Sequence, residues 1–521
     1  MARFLRFEHV SFAYQGMKNM LITNLDAHIA TGWTGIVGPN GAGKTTFLQL
    51  AAGDLEPSDG FIHHLSTSRY AMQRTDSPPE GMEDFQEAKD LSAIELKQKL
   101  AIRDDWFERW DTLSHGERKR MQIAVVLWDN PEVLALDEPT NHIDAEARNM
   151  LIDALKDFKG VGLLVSHDRE LLDSLCNQCV FINPPNAVVR PGGVTAGMEQ
   201  DRREQMEARS QDESVKKAAK RLKRAAQNQL EQAEQASAKG KNRKFKKLDK
   251  RDHDGRERRN LAKMTGRNAR GGSSQSASLS KRAAELENSR SSFNIRKEYE
   301  MGFWLEESRS AMRSTVLSVS SGELSLGGDV KLAYPDLYVS PTDRIAITGA
   351  NGLGKSTLLK LLLGKVCVNH ERLISIPQEI TADEAKNILD EVKSLPKNEL
   401  GQVMTCVIRL GSRPGRLLES EPPSPGEIRK LLLALGVTRG PHLIVMDEPT
   451  NHMDLPSIEC LEGALSACPC ALILVSHDMR FLESLTDHTW HLASESPNQV
   501  RLVPGRRDSV QDLDFEGFVL E

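Results

Sequence analysis

Two short apolar runs, Thr34-Gly-Ile-Val and Arg344-Ile-Ala-Ile-Thr, each lead into a glycine-rich turn. Apolar residues at helical spacing follow both turns, in Thr46-Phe-Leu-Gln-Leu and Thr357-Leu-Leu-Lys-Leu-Leu-Leu, so the pattern predicts strand, turn and helix twice over. Val133-Leu-Ala-Leu-Asp137 and Leu443-Ile-Val-Met-Asp447 carry no polar residue until a terminal carboxylate, the pattern of a parallel strand buried on both faces. Between these halves, Val215, Leu222, Leu230 and nearby alanines recur at helical spacing among charges, and Ala283 and Leu286 follow a Gly/Ser break at 271–276. That segment is expected to form a helical hairpin. No window reaches the ~18 uncharged apolar residues of a membrane span, and Glu8 and His9 interrupt the start where a signal peptide needs an apolar run. A cytoplasmic protein without membrane insertion is expected.

The halves repeat. Gly38, Pro39, Asn40, Gly41, Ala42, Gly43, Lys44, Thr45 and Thr46 return as Gly349, Ala350, Asn351, Gly352, Leu353, Gly354, Lys355, Ser356 and Thr357, an offset of 311. Asp137-Glu138-Pro-Thr-Asn returns as Asp447-Glu448-Pro-Thr-Asn, and Ser166-His167-Asp168 as Ser476-His477-Asp478, both 310 residues on. Chance similarity of composition would not keep the 30-residue interval from aspartate to histidine in both halves. A duplicated domain is therefore expected at 1–195 and 312–521, joined by a linker at 196–311.

Charge separates the linker from the repeats. Residues 216–270 hold 20 Lys/Arg against 6 Asp/Glu, a net +14 in a chain of net −6, which leaves −20 for the remainder. A run of this kind is either a solvated face or a surface for polyanions. The cysteine pairs Cys176/Cys179 and Cys468/Cys470 have no second pair or histidines at zinc-ligand spacing, so they are expected to be ordinary thiols.

Framed by strand and helix, each glycine-rich loop is a phosphate cradle: glycines let backbone N–H groups turn inward, and the helix N-terminus adds positive potential. Lys44 and Lys355 are expected on the β/γ-phosphates of ATP, with Thr45 and Ser356 offering hydroxyls to Mg²⁺. Asp137 and Asp447, at the carboxyl ends of buried strands, are expected to hold the same ion. Glu138 and Glu448 stand next to it as general bases for the water that attacks the γ-phosphate.

The order of these elements resembles an ATP-binding cassette (ABC) domain. Gln73 and Gln378, the motifs Leu113-Ser-His-Gly-Glu117 and Pro423-Ser-Pro-Gly-Glu427, the Asp-Glu pairs, and His167 and His477 follow one another as in that family. Both Ser-x-Gly-Glu motifs stand 23 residues before their aspartates. The resemblance implies two ATPs held between the halves, with Ser424 and Gly426 completing the Lys44 site and Ser114 and Gly116 the Lys355 site. It also implies that His167 and His477 are catalytic, that Gln73 and Gln378 sense the metal and nucleotide, and that Tyr14 stacks on the base. His115 and Pro425 replace the first glycine of the usual signature pair, and no aromatic stands near Leu317 as Tyr14 does in the first half. Unequal sites are expected.

Asp-Glu-Pro-Thr-Asn-His, present twice, is similar to the ABC-F branch, whose twin cassettes lack membrane spans. The resemblance implies an α/β fold of two P-loop domains joined by a basic helical linker, in a monomer whose cassettes pair within the chain. It also implies that the linker touches ribosomal RNA and tRNA, through Lys241, Arg243, Lys244, Phe245, Lys246, Lys247, Arg251 and Arg256, and that ATP turnover regulates translation or protects ribosomes from stalling or antibiotics. Only about 40 residues separate Gln73 from Leu113, too few for the additional arm that some members insert there. The alternatives are an ATPase subunit energising a separate membrane permease and a DNA-repair ATPase.

Overall fold

In the computed structural model, the described residues are 4–16, 20–141, 143–244, 274–288, 315–412, 424–451, 453–496 and 498–506, with backbone alone at 236–244. The chain divides into two compact units, Met1–Gly197 with Tyr299–Glu521, and Met198–Glu298.

The larger unit holds two α/β cassettes. In the first, a sheet runs Ser68–Ala71, Val133–Asp137, Val161–Val165, Gly32–Val37, Cys176–Asn183 and Asn186–Pro191, parallel except for its last pair. The second repeats that order as Leu373–Ile376, Leu443–Asp447, Ala471–Val475, Arg344–Thr348, His488–Ser496 and Gln499–Arg506, then adds two edge strands. The strands predicted at 133–137 and 443–447 are buried at every position. Their carboxyl ends deliver Asp137 and Asp447 beside the phosphate-loop helices Lys44–Ala52 and Lys355–Leu363. A separate antiparallel sheet, Ile22–Ala30, Phe4–Phe12 and Asp59–His63, packs Phe7 on Phe47 of the first phosphate-loop helix with ring centroids 4.9 Å apart.

The two cassettes solve one capping problem with different residues. A helix leaves its last carbonyls without intrahelical partners. In the first cassette, the indole of Trp33 donates to Leu155 O at 2.8 Å, and the ring fits because residue 162 is glycine, where a Cβ would lie 2.4 Å from Trp33 Cε3. Arg344 stands at the matching place in the second. Its guanidinium donates to the carbonyls of Leu465, Ser466 and Cys468 at 2.8–3.1 Å and to that of Leu485 at 3.5 Å.

Ion pairs join the cassettes. Arg169 makes a fork with both carboxylate oxygens of Glu462 at 3.1–3.2 Å. Arg480 donates to Asp173 Oδ2 at 2.7 Å and to Thr195 Oγ1 at 3.0 Å, while Asp173 accepts from the Thr195 backbone N–H at 2.9 Å.

The smaller unit contains most of the 51-residue helix Val194–Lys244 and a second helix at 274–288. The seam between them is made by alanines rather than by the larger residues singled out in the sequence. Ala219, Ala226 and Ala233, at heptad spacing, are buried, while Leu230 is 43% exposed. Ser276 and Ala283, also seven apart, are buried opposite, and Ser276 Oγ donates to Ala226 O at 2.8 Å. Small residues let two helices approach closely, and Lys223 closes the contact on Glu287 at 2.7 Å. Among the described residues, no helix is long and apolar enough to cross a membrane.

The two capping solutions predict unequal sensitivity. Arg344→Met should lower stability by about 2–4 kcal/mol and Trp33→Phe by about 1 kcal/mol, read as thermal and denaturant midpoints, because the first substitution leaves several carbonyls without a charged donor.

Candidate functional site

Both phosphate loops are preformed. Gly43 and Gly354 cap their helices at φ 94° and 89°, a left-handed conformation that glycine adopts without strain. A Cβ there would also meet Leu21 at 2.5 Å and Leu326 at 2.3 Å, so each loop closes against a leucine that the motif does not contain. Lys44 Nζ donates to Gly38 O at 2.9 Å and lies within 3.5 Å of Asn40 Oδ1. Lys355 Nζ repeats this on Gly349 O at 2.7 Å and Asn351 Oδ1 at 3.4 Å. Burial depresses the pKa of both lysines, and the facing carboxylates Glu138 and Glu448 oppose that shift.

The oxygen sets expected for the metal are brought together. Thr45 Oγ1 donates to Asp137 Oδ2, and Ser356 Oγ to Asp447 Oδ2, each at 2.7 Å. A hydroxyl beside a carboxylate suits a hard cation such as Mg²⁺, which takes its remaining oxygens from phosphate and water. Among the described residues, no group of three or more His, Cys, Asp or Glu is placed to hold a metal ion. Tyr70, not singled out in the sequence, donates to the same Asp137 oxygen at 3.2 Å.

Glu138 and Glu448 are 5% and 4% exposed. Their backbones stand at φ 49° and 48°, uncommon for a residue with a side chain. The cause is local. The N–H of each glutamate still donates to the neighbouring strand, to Val165 O at 2.9 Å and Val475 O at 2.8 Å, and the chain turns out of the sheet immediately afterwards. This holds each carboxyl over the phosphate loop at a cost of order 1–3 kcal/mol. Burial pushes both carboxyls up to about 8 against the opposing pull of Lys44 and Lys355. Glu138 Oε1 lies 3.2 Å from His167 Nε2, and Glu448 Oε1 3.5 Å from His477 Nε2. His477 Nε2 donates to Asn351 Oδ1 at 2.9 Å, and burial with the Lys355 charge holds its imidazole down at about 4, neutral at pH 7.

The Ser-x-Gly-Glu motifs are helix starts. Ser114 and Ser424 are N-caps in capping boxes with Glu117 and Glu427, at the heads of His115–Trp128 and Pro425–Thr438. Pro425 occupies the first helical position, where a missing N–H costs the helix nothing. One turn further, Lys119 Nζ donates to the carbonyls of Met72 and Gln73 at 2.8 and 3.3 Å. Arg429 donates to Gln378 O, and to Asn451 O at 2.5 Å. The glutamine loops are thereby tied to the signature helices through backbone contacts that no side-chain motif announces.

The two cavities that hold Lys44 and Lys355 lie between the cassettes, and they differ. One, of about 510 Å³, brings Tyr14, Lys44, Thr45, Thr46, Gln73, Asp137, Glu138 and His167 together with Ser424 and Pro425 of the other cassette. Gly426 faces Pro39, Asn40 and Ala42 in an adjoining cavity. Asp454 Oδ2 also accepts from the Asn40 N–H at 2.7 Å. The other cavity, of about 410 Å³, gathers Asn351, Lys355, Ser356, Thr357, Gln378, Asp447, Glu448 and His477. Across it the first cassette presents Asp144 and Arg148, and neither Ser114 nor Gly116 lines it. Both volumes fall within the ~300–1,000 Å³ of small-molecule sites. Tyr14 is 40% exposed, packs edge-on against Phe12 and shares a 2.9 Å hydrogen bond with Thr46 Oγ1. Of the residues expected to touch RNA, Lys241, Arg243 and Lys244 lie at the end of the long helix without described side chains, and Phe245, Lys246, Lys247, Arg251 and Arg256 lie outside the described residues.

Comparison with known proteins agrees with this geometry. The family model described as "ABC transporter" matches residues 22–141 and 332–451, one span in each cassette. The ribosome protection protein VmlR of Bacillus subtilis (strain 168) is 27% identical over 494 residues, covering 92% of this chain and 85% of that protein. The erythromycin resistance ATP-binding protein MsrA of Staphylococcus epidermidis is 25% identical, with 95% and 99% covered. The energy-dependent translational throttle protein EttA of Haemophilus influenzae is 25% identical, with 87% and 85% covered. Among solved structures, the archaeal ribosome recycling factor aABCE1, in complex with the archaeal ribosomal stalk protein aP1, has the same fold: TM-score 0.63 at 17% identity, with 97% of this chain and 92% of that chain covered.

The raised carboxyls set the pH response of the nucleotide-free protein. Folding lifts Glu138 and Glu448 from the ordinary 4.5 to about 8, so the folded state holds extra protons between those values. Stability is therefore greatest at the acidic end of this window and falls as pH rises through about 8. The melting temperature should drop by several degrees from about pH 6 to about pH 9. In the Glu138→Gln/Glu448→Gln variant most of that drop should vanish; an unchanged drop would mean that other groups cause it.

Proposed function

We propose that this chain, which belongs to the ABC-F family of tandem ABC ATPases, closes on two ATP molecules to engage the ribosome through its basic linker and opens on hydrolysis to leave it. The observation that carries this reading is the cavity holding the Lys44 loop and Ser424, because each nucleotide then needs both cassettes of one chain. A cytoplasmic monomer whose cassettes pair internally follows.

In the proposed reaction, Lys44 and Lys355 neutralise the β/γ-phosphates while the loop N–H groups hold them. Glu138 and Glu448 accept a proton from the attacking water, and His167 and His477 hold that water and the γ-phosphate in line. Mg²⁺ at Thr45/Asp137 and Ser356/Asp447 would supply further charge neutralisation on the phosphates. The carboxylates ionise as positive charge assembles opposite them. Lys119 and Arg429, which grip the glutamine loops, carry the change at the phosphates to the signature helices.

The linker, taken as 196–311, supplies the contact with RNA. Its surplus of 14 positive charges across 216–270 suits a phosphate backbone, and the relatives named for ribosome protection and translational throttling support a ribosomal partner. Lys241, Arg243, Lys244, Lys246, Lys247, Arg251 and Arg256 are the proposed phosphate contacts, with Phe245 stacking on an unpaired base of rRNA or tRNA.

The test is co-sedimentation with ribosomes. With ATP and Mg²⁺, the Glu138→Gln/Glu448→Gln variant should pellet with ribosomes, and neutralising the Lys and Arg residues of 239–259 should weaken binding at least ~10-fold, as should a rise in salt from about 50 to about 200 mM. A variant that holds ATP yet stays in the supernatant would overturn this reading and favour an ATPase that energises a separate permease.

A further inference from the structure

Cys468 and Cys470 stand in the turn between the helix Leu455–Ser466 and the strand Ala471–Val475. Their spacing in the chain predicts ordinary thiols, but the fold brings the two free sulfurs to 2.9 Å from each other. The first cassette is built differently at this place. The residues 310 positions earlier are Phe158 and Gly160. Phe158 packs on Trp33 with ring centroids 5.5 Å apart, and a Cβ on residue 160 would lie 2.5 Å from the Phe158 ring. With Arg344 in place of Trp33, the second cassette has no such ring stack, and two thiols occupy the turn.

The two sulfurs are not equivalent. The Cys470 N–H donates to Cys468 Sγ at 3.4 Å, and the Cys468 carbonyl accepts from the Arg344 guanidinium at 2.8 Å. Burial opposes ionisation of Cys468, but the Cys470 thiol and N–H, together with the Arg344 charge, outweigh it and hold this thiol below its ordinary pKa. The hydrogen bond to Cys468, followed by burial, pushes Cys470 the other way. Cys468 is 7% exposed and Cys470 1%. A sulfur that ionises at the surface of the turn, with a protonated one directly behind it, is the arrangement of an attacking and a resolving thiol. Two sulfurs are too few for a closed zinc site, and among the described residues no group of three His, Cys, Asp or Glu includes them.

We propose that Cys468 and Cys470 are a modification site: a dithiol that hydroperoxides oxidise to an intramolecular disulfide. The Cys468 thiolate attacks one peroxide oxygen, so that an S–O bond forms and the O–O bond breaks. The departing oxygen takes up the proton that Cys468 has shed. Cys470 Sγ then attacks Cys468 Sγ; the S–S bond forms, the S–O bond breaks, and the hydroxyl leaves as water with the Cys470 proton. The two sulfurs lose two electrons in all, and the peroxide gains them. To reach a bond of about 2.05 Å the sulfurs approach by less than about 1 Å. The disulfide fixes the turn whose Cys468 carbonyl holds Arg344, at the start of the strand Arg344–Thr348 that runs into the Lys355 loop. The proposal is independent of the ATPase reaction.

Peptide mapping by mass spectrometry tests it, on the full chain exposed to hydrogen peroxide without denaturant and then alkylated. The peptide holding Cys468 and Cys470 should become lighter by two hydrogens, resist alkylation and regain both thiols with dithiothreitol. This should proceed at least ~10-fold faster than oxidation of the exposed Cys367. In Cys470→Ser the resolving thiol is lost, so a sulfenic acid should persist on Cys468 and be captured by dimedone, while in Cys468→Ser the remaining Cys470 should stay reduced. The reading on the unsubstituted chain stands whether or not the variants fold. Thiols at 468 and 470 that remain open to alkylation, oxidation that comes first at Cys367 or at Cys176 and Cys179, or a disulfide that forms only in urea would each overturn the proposal.

Discussion

Two carboxyl groups at the end of each central strand are buried with few cations to oppose them, chiefly Lys44 and Lys119 in the first cassette and Lys355 and Arg429 in the second, and the rest of the architecture serves that arrangement. Asp137 with Glu138, and Asp447 with Glu448, stand where a parallel sheet opens onto its loops, in the crevice that α/β proteins use for ligands. Burying such groups without cations opposes ionisation, so Glu138 and Glu448 hold protons up to about pH 8 in the nucleotide-free protein. Strained backbone at φ 49° and 48° keeps them there. In the proposed reaction a divalent cation and a polyphosphate would relieve the unfavourable term, which would make nucleotide binding a structural event as well as a chemical one. Lys119 and Arg429 tie the glutamine loops, through their carbonyls, to the helices His115–Trp128 and Pro425–Thr438.

The two sites differ in what the other cassette brings to them. Ser424 and Pro425 of the second cassette line the Lys44 cavity, while Asp144 and Arg148 of the first line the Lys355 cavity. Ion pairs outside the sites, Arg169 on Glu462 and Arg480 on Asp173, hold the cassettes in register. The second pair also involves Thr195, which lies at the beginning of the 51-residue helix.

Much of this was legible in the sequence because it is local. The phosphate loops, the all-apolar strands at 133–137 and 443–447, and the offset of 310–311 residues specify two P-loop cassettes without reference to tertiary contacts. What escaped depends on residues distant in the chain. The alanine seam was masked by larger neighbours: periodicity favours Leu222 and Leu230, while close helix approach selects Ala219, Ala226 and Ala233. Asp454 on the Asn40 amide, Tyr70 on Asp137 and the leucines beneath the phosphate loops belong to no motif of their own. Ser424 stands in the lining of the Lys44 cavity as expected from the resemblance, while Ser114 and Gly116 are not among the lining residues of the Lys355 cavity.

The central claim is that one chain closes on two nucleotides. Native mass spectrometry of the Glu138→Gln/Glu448→Gln variant with Mg-ATP tests it most directly, since mass counts both chains and ligands. The account predicts a single 57.9 kDa chain carrying two ATP molecules. Nucleotide retained only by a pair of chains, or never more than one ATP per chain, would contradict it.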